Sequence, residues 1–374
     1  MIDKLVFEGP LNNLSMGNVS INILQSLYKK GVKVLYLPIG QPDIGNYKLS
    51  DDFKSWLQSA TNNFLANYQR DLVTLKNWHL NGSHHFPTDK RYLISYHETD
   101  SVTPQENNVV KNINKVFFCG NYSENVFRDY GNENVDSFNL GFDAQSFNKT
   151  NKVYFKDRIQ WLLGAKMESR KNTLKLLQLW AKKYGKKQGE FYQTGEQQHF
   201  LNCVIVNPFY DIKIQEQQIA QALEGQRYIN IQFFGFLNRE GFNDLLNATD
   251  IDLTGLSSGE SWNLIPFNIS CLGKWSIVLN ATGQKVWANK DNCILVNPNG
   301  KRSCVDNIHF HANAPFSTGN FYTFNDEDVL KAMDLAAAKA KTPNIEGEKL
   351  SEQFTYDKTV DYILGKIEED LNAK

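Results

Sequence analysis

The chain has 374 residues, of which 41% are hydrophobic and 13% aromatic; it is long enough for two domains with separate cores, and this composition excludes a disordered chain. The net charge of −1 excludes a global attraction to nucleic acid or membrane, although a local basic groove remains compatible with it. No apolar run is long enough for a membrane helix, the N-terminus does not resemble a signal peptide, and the five scattered cysteines lack zinc spacing, so we expect reduced thiols in a cytosol, either bacterial or that of a virus-infected host.

The first elements along the chain predict a parallel sheet. Leu5–Phe7 is a short apolar strand, and a loop rich in Gly, Asn and Ser follows at 8–20. Apolar residues at helical spacing then predict a helix over 21–28, and 32–38 is a second strand. A strand, helix and strand in this order form a unit whose two strands are parallel. The loop lacks the G-x-G-x-x-G fingerprint, which argues against a nicotinamide cofactor.

Residues 50–78 carry aromatic and aliphatic side chains at three- and four-residue steps, which predicts one amphipathic helix. Its polar face has mixed charge, so we favour packing in a core over docking on a membrane. Two polar clusters follow. The strand that begins at Tyr92 breaks into a polar loop, which puts His97 at the carboxyl end of a strand. The pair His84 and His85 has metal-binding side chains but no third ligand at a recognisable spacing, so a loop that lines a cleft is the preferred interpretation.

Further strands are expected at 115–119, 135–143, 159–163, 201–207 and 229–235, and a polar linker at 148–152. The stretch 251–273 then reads as a strand, a Ser-Ser-Gly-Glu turn and a helix. Glu260 would therefore lie at the carboxyl edge of a sheet, next to the backbone N–H groups that open a helix and bind anions. A binding site for a nucleotide sugar needs a carboxylate that accepts hydrogen bonds from the sugar hydroxyls, next to a site that binds the diphosphate. On the residues of this stretch alone, an ordinary surface glutamate in a βα loop is the preferred interpretation.

The stretch 257–273 resembles the Glu-Gly-Phe-Gly-Leu-Pro-x-x-Glu signature of the retaining glycosyltransferases of family 4. The matching residues are Ser257, Glu260, Leu264 and Pro266. This resemblance implies an α/β protein with two Rossmann-like domains facing a cleft, the GT-B fold. It also implies that Glu260 contacts the donor sugar. The second glutamate of the signature, which holds the ribose, falls on Asn268, and an amide can bind ribose hydroxyls without a charge.

Other stretches resemble the same family on the donor side. Residues 159–172 are similar to its Gly-Arg-x-x-x-x-Arg-Lys-Gly element, which implies that Arg170 and Lys171 bind the diphosphate. Ala165 stands where the family has its first Arg, and Lys166 is the expected substitute. Cations are needed there because negative charge builds on the leaving diphosphate. Phe236, after the strand at 229–235, is expected to flank the base.

On the acceptor side, the resemblance implies roles for two loops. The loop after the first strand matches best at Gly17 and Ser20, whose small side chains would let donor phosphate and acceptor approach the backbone. His97 is implied to lie near the reacting sugar, with Glu98 beside it, and His84 and His85 are placed on the acceptor side. A structural histidine or a plain Gly-rich loop remains the alternative for each of these.

We therefore expect an N-terminal acceptor-side domain at 1–148, a nucleotide-sugar domain at 149–350, and a helix at 351–374 that crosses back to the first domain. The expected activity is transfer of a sugar from a nucleoside diphosphate to an acceptor hydroxyl with retention of configuration. No cofactor or metal is expected, since the cations supply the positive charge and no Asp-x-Asp motif is present. A nucleotide-sugar epimerase and a non-catalytic nucleotide-sugar-binding protein remain open, as do a glycan, a small molecule and a hydroxymethylated DNA base as acceptors.

Overall fold

The structure is a computed structural model and describes residues 2–205 and 211–373. The chain forms two compact units, and each is built from more than one segment. The first unit consists of Met1–Gln145, Ser303–Asn320 and Gln353–Lys374. The second unit consists of Ser146–Arg302 and Phe321–Glu352.

The first unit contains a six-stranded sheet in which every described strand pair is parallel. The strands lie in the order β2-β1-β3-β4-β5-β6. Their bounds are β1 Lys4–Gly9, β2 Lys33–Pro38, β3 Val73–Asn77, β4 Lys90–Ser95, β5 Lys115–Cys119 and β6 Val135–Phe138. Side chains of β3 to β5 are almost entirely buried, as expected for a parallel sheet that is covered on both faces.

The second unit repeats this architecture with a parallel sheet in the order β12-β11-β10-β7-β8-β9. Its strands are β7 Arg158–Leu163, β8 Gln198–Cys203, β9 Ile231–Phe233, β10 Ile251–Asp252, β11 Trp275–Leu279 and β12 Ile294–Val296. Two further short strands, β13 Gly300–Ser303 and β14 Asn320–Thr323, pair with each other.

Helices connect the strands along the whole chain. The first unit contains α1 Ser15–Lys29, α2 Asp51–Asn62, α3 Phe64–Asn67, α4 Pro104–Lys111 and α5 Asn121–Asp129. The second contains α6 Thr173–Tyr184, α7 Ile212–Ala222, α8 Arg239–Ala248, α9 Leu264–Cys271, α10 Asp326–Lys339, α11 Ile345–Glu348 and α12 Leu350–Gln353. The last helix, α13 Tyr356–Asn372, belongs to the first unit. Across the two described ranges, no helix combines the length and the apolar character that a bilayer crossing requires.

The predicted α/β class with two Rossmann-like domains is confirmed by these two parallel sheets. The single helix predicted over 50–78 is wrong: α2 and α3 end by Asn67, and Val73–Asn77 forms the buried strand β3. The helical spacing of Leu72 and Leu75 is accidental, and the β-branched Val73 and Thr74 favour the strand. Of the strand expected at 201–207, β8 ends at Cys203, and residues 206 and 207 lie outside the described ranges.

The segment 303–320 was expected in the second domain, but the structure places it in the first unit. It belongs to the first unit because polar side chains there hold its backbone. Asp100 accepts a hydrogen bond from the Asn320 N–H at 2.7 Å, and Glu106 accepts one from the Ser317 N–H at 2.8 Å. The boundaries 1–148, 149–350 and 351–374 otherwise stay predictions.

Candidate functional site

The strand order of the second unit defines where a ligand is expected. Connections after β7 run to one side of the sheet and those after β10 to the other, so β7 and β10 are neighbours at the point where the order reverses. Open α/β sheets bind ligands beyond the carboxyl ends of the strands at such a point. The two following loops, 164–172 and 253–263, meet there, and the Gly164 N–H donates to Thr254 Oγ1 at 3.0 Å.

Glu260 lies in the second of these loops and is buried. Its Oε1 accepts hydrogen bonds from Arg170 Nη1 at 2.7 Å and from Ser257 Oγ at 2.6 Å, and it forms an ion pair with Lys171. Burial of the carboxyl opposes ionisation, but Lys171 and Arg170 outweigh it and lower the pKa of Glu260 to about 2. The carboxylate is therefore ionised at any physiological pH.

More cations than carboxylates surround this ion pair. Glu168 lies 3.2 Å from Arg170 and 3.7 Å from Lys166, and Arg302 donates to the Ser169 carbonyl at 2.9 Å. Four cations thus share this corner of the unit with two carboxylates, Glu168 and Glu260. We call the set of Lys166, Glu168, Arg170, Lys171, Glu260 and Arg302 the charged cluster. Its excess of positive charge is suited to an anionic ligand such as a diphosphate.

Unusual backbone conformations hold the loops in place. Asn263 and Thr282 both have positive φ, 64° and 56°, which is costly for a β-branched residue such as Thr282. Thr282 Oγ1 accepts the Glu260 N–H at 3.3 Å. Gly283 packs so closely that an added Cβ would lie 1.9 Å from the Ser261 carbonyl oxygen. Backbone strain of this kind persists where the surrounding structure fixes a functional loop.

Helix α9 begins directly after this loop and carries the other predicted donor residues. The Asn263 side chain donates to Gln284 Oε1 at 2.9 Å and to the Thr254 carbonyl at 3.2 Å. Leu264 is partly exposed on the first turn. Asn268 is buried, and its Oδ1 has no hydrogen-bond partner within the described part of the chain. A ligand hydroxyl is the kind of donor that such a buried acceptor lacks. Phe236, after β9, is 65% exposed.

In the first unit, His97 follows β4 and is buried. Its Nε2 lies 2.9 Å from the Ser101 carbonyl and 3.1 Å from Thr99 Oγ1, and its Nδ1 lies 3.8 Å from Glu106. Burial lowers the pKa of His97, against the opposing effect of the Glu106 carboxylate. The imidazole is therefore packed within its own unit. Glu98, one residue on, is half-buried.

Gly17 and Ser20 lie in helix α1, which begins at Ser15, and not in the loop that was expected to extend to residue 20. Both residues have clear internal roles. A Cβ on Gly17 would lie 2.3 Å from the Asn12 carbonyl oxygen, so only glycine lets α1 pack on the preceding loop. Ser20 is fully buried, and its hydroxyl accepts from Asn77 Nδ2 at 2.8 Å. The roles predicted for these two residues in ligand binding stay predictions.

The His84 and His85 rings lie against each other, with centroids 4.1 Å apart. Within residues 2–205 and 211–373, no group of three or more His, Cys, Asp or Glu side chains is arranged to hold a metal ion. The structure thus brings together Glu260, Lys171, Arg170 and Lys166 in the second unit. It places His97, Glu98, His84, His85, Gly17 and Ser20 in the first.

Three residues were not predicted: Glu168 and Arg302 of the charged cluster, and the neighbouring Asn172. Arg302 reaches the cluster from β13, so only the folded chain brings it there, whereas Glu168 lies two residues before Arg170 in the same loop. Asn172 has positive φ, and its amide donates to the Leu256 carbonyl at 2.8 Å and to Ser258 Oγ at 2.9 Å. The Glu-x-Arg-Lys-Asn run at 168–172 was a usable signal, because it places a carboxylate next to the two cations that were predicted to bind the diphosphate.

No family model matches this chain, and no curated protein matches it in sequence. Solved structures do match it over nearly the whole length. Sucrose-phosphate synthase from Thermosynechococcus elongatus is 12% identical with a TM-score of 0.65, and 99% of each chain is covered. A glycosyltransferase from Rickettsia africae ESF-5 is 13% identical with a TM-score of 0.64 and the same coverage.

HepE from Anabaena, solved in complex with UDP and glucose, is 11% identical with a TM-score of 0.59, covering 98% of this chain and all of its own. At such identities, the comparison shows the fold alone. The two parallel six-stranded units of this chain are those of the GT-B glycosyltransferase fold.

Proposed function

We propose that this chain is a glycosyltransferase that takes a sugar from a nucleoside diphosphate donor bound by the second unit. The observation that carries the proposal is the buried contact of Glu260 with Lys171 and Arg170 at the reversal point of the sheet. These residues come from loops 90 positions apart, and the chemistry they offer is a carboxylate for hydroxyls beside cations for phosphate. Structural relatives solved with UDP and with UDP-glucose support a donor of this class.

Each group of the site has a role in such a reaction. Lys171 and Arg170 bind the diphosphate and stabilise the charge that develops on its oxygen as the glycosidic bond breaks. Once the diphosphate satisfies these cations, Glu260 is released to accept hydrogen bonds from the sugar. Asn268 Oδ1 accepts a ribose hydroxyl, Leu264 and Phe236 border the nucleotide, and Lys166 adds positive charge.

We further propose, from the family 4 resemblance, that the configuration at the anomeric carbon is retained and that no metal is required. Retention there proceeds without a carboxylate as covalent nucleophile, and the leaving diphosphate helps to deprotonate the acceptor. The acceptor would be bound by the first unit, with Ser20, His84, His85 and Glu98 on the acceptor side. His97 would be a catalytic residue near the reacting sugar, and Gly17 would let the donor phosphate approach the backbone. A glycan, a small molecule and a modified DNA base all remain candidates.

A panel of nucleotide sugars tests the donor step. A matching donor at a hundred times its Kd should stabilise the chain by ~2.7 kcal/mol in thermal unfolding. The native chain should then release nucleoside diphosphate from that donor. Glu260→Gln should lower this rate by about 100-fold or more, since it removes a charge at the reacting sugar. Glu196→Gln, which alters a paired glutamate of the same unit, should leave the rate unchanged.

A non-catalytic binding protein is the second candidate, because Asn268 and Ala165 replace two charged residues of the family signature. If the chain only binds, a nucleotide sugar should stabilise it against thermal unfolding. Turnover of that nucleotide sugar should then be negligible in the native chain and equally so in Glu260→Gln. Release of an isomerised sugar without any acceptor would instead identify an epimerase. Absence of stabilisation by every nucleotide sugar would refute donor binding altogether.

A further inference from the structure

The first unit contains a cavity of about 260 Å³, and its lining includes His84, which was predicted to lie on the acceptor side. It lies between the loop that joins β3 to β4, the first residues of β4 and the side of α4. We call it the flank pocket. Its lining includes Ser83, His84, Phe86, Arg91, Asn108 and Asn112. Arg91 is at the amino end of β4, so the pocket is not at the carboxyl edge of the sheet, where His97 follows β4.

The lining has the chemistry of an anion site with room for hydroxyl groups. Arg91 is its cation, and none of the described lining residues is a carboxylate. Arg91 Nε is buried and has no hydrogen-bond partner in the described part of the chain. Buried guanidinium donors are normally satisfied, so the unpartnered Nε shows that no described protein acceptor holds this edge of the guanidinium. The side chains of Asn108, on α4, and of Asn112, which directly follows α4, also line the pocket. Asn112 Nδ2 donates to the Asn108 carbonyl at 2.8 Å, and the two side-chain amides offer acceptors as well as donors to hydroxyls.

The wall of the pocket is fixed by a buried lysine. Lys76, on β3, is 4% exposed and pairs with Glu8 at 3.0 Å. Its ammonium also donates to the carbonyls of Gly82 at 3.2 Å and His85 at 3.1 Å, and it lies 5.3 Å from the centre of the Phe86 ring. The loop carrying His84 and Phe86 is therefore held in shape without a ligand, and a preformed site binds with less loss of entropy.

We propose that the flank pocket binds a sugar phosphate, with the phosphate on Arg91 and the hydroxyl groups on the side-chain amides of Asn108 and Asn112. The apolar face of the sugar packs on Phe86. This site is separate from the charged cluster, and its binding requires no nucleotide. Its test therefore succeeds or fails independently of the proposed donor binding by the second unit.

Calorimetric titration of the full chain with glucose 6-phosphate tests the proposal, with glucose and inorganic phosphate as the comparison ligands. Glucose 6-phosphate should bind at least tenfold more tightly than either. Arg91→Gln should weaken it at least tenfold, because a charge-assisted pair is lost. Arg70→Gln is the matched control: Arg70 forms an exposed pair with Asp89 in the same unit, and its loss should leave the affinity unchanged.

A second variant protects the test if Arg91→Gln fails to fold. Asn108 is exposed on α4, so Asn108→Asp should fold and should weaken binding at least tenfold by placing a negative charge at the pocket. Asn125→Asp, on the exposed side of α5, is its control and should bind normally. Lys171→Met should also bind normally, because the charged cluster is not the site.

Three results would overturn the proposal. They are no heat of binding at millimolar glucose 6-phosphate, equal binding of inorganic phosphate, and binding that Lys171→Met abolishes while Arg91→Gln and Asn108→Asp leave it intact.

Discussion

The Glu260 carboxylate is ionised although it is buried, because Lys171 and Arg170 both contact it. A buried ion pair contributes little net stability, since desolvation offsets much of the attraction between the charges. Removing one partner is nevertheless costly, because it leaves a charge without compensation. The arrangement is thus better explained by ligand binding than by stability, and the two effects can be measured separately.

Lys171→Met tests both effects. Arg170 remains as a partner of Glu260, so the free energy of unfolding should fall by only about 1–3 kcal/mol. Affinity for a nucleoside diphosphate should fall by about tenfold or more, since a charge-assisted contact to phosphate is lost. Denaturant unfolding and calorimetric titration would measure the two changes. Lys175→Met removes an exposed pair with Asp326. It should leave both the free energy of unfolding and the affinity for the nucleoside diphosphate close to those of the native chain. An unaltered affinity in Lys171→Met would remove Lys171 from the diphosphate site.

Asp252, at the end of β10, predicts a pH dependence of stability. Its burial raises the pKa to about 7 from the ordinary 3.8, and hydrogen bonds from Thr254 and Ser276 only partly offset this. The folded chain therefore binds more protons than the unfolded chain between these values. The contribution of the Asp252 carboxyl to the free energy of unfolding is therefore fully present below pH 3.8 and is lost as the pH rises through 7.

Asp252→Asn should remove this pH-dependent loss of stability, because an amide does not titrate. The free energy of unfolding of the variant relative to the native chain should rise by about 2–4 kcal/mol between pH 5 and pH 8. Urea unfolding at several pH values would measure it. A difference that stays constant across this range would show that Asp252 is not titrating there.

At the scale of the elements, the loops after β10 and β11 interlock. The Gly283 N–H donates to the Glu260 carbonyl at 3.0 Å, and the space beside Gly283 Cα is filled by Ser261. The position of Glu260 thus depends on a loop that contributes no charge to the site.

Gly283→Ala should therefore destabilise the second unit by about 1–3 kcal/mol or more and should lower turnover of the donor. Gly235→Ala is a suitable comparison, because nothing lies within 4 Å of its added Cβ, and it should stay within about 0.5 kcal/mol of the native chain. Thermal unfolding and donor turnover together provide the measurement. Native-like turnover in Gly283→Ala would mean that the loop tolerates displacement.

The elements also show what a single sequence can predict. The α/β order and the strand-turn-helix around Glu260 follow from apolar periodicity and from Gly and Asn at the turns. The strand β3 was missed because Leu72 and Leu75 continue the helical spacing of the preceding segment. Its Lys76 is buried by a specific pair with Glu8, which no periodicity reveals. The Glu260–Lys171 contact was anticipated from motif order. Arg302 was not, because its position depends on the return of the chain after β12.

At the scale of the molecule, the last helix completes the first unit. Val360, Ile363 and Ile367 of α13 are buried, Ser26 donates to Asp357 at 2.6 Å, and Tyr92 donates to Asp370 at 2.6 Å. The helix thus covers part of a core whose strands are encoded more than 200 residues earlier in the chain.

A chain that stops after Glu352 should lose the first unit. Burial of the three apolar side chains alone is worth about 5–8 kcal/mol, comparable to the stability of a whole domain. Hydrogen exchange should show loss of protection in β1 to β6, while β7 to β12 remain protected. Removal of Ala373 and Lys374 only should leave exchange as it is in the native chain. Protection retained throughout the shorter chain would show that α13 is dispensable.

The path of the chain passes from one unit to the other after residues 145, 302, 320 and 352. Replacing the second unit with that of another protein, to change the donor specificity, would therefore need four junctions. A single junction near residue 146 would take 303–320 and α13 from the other protein, although both segments belong to the first unit. Chimeras that keep both of these segments with Met1–Gln145 are the ones to build.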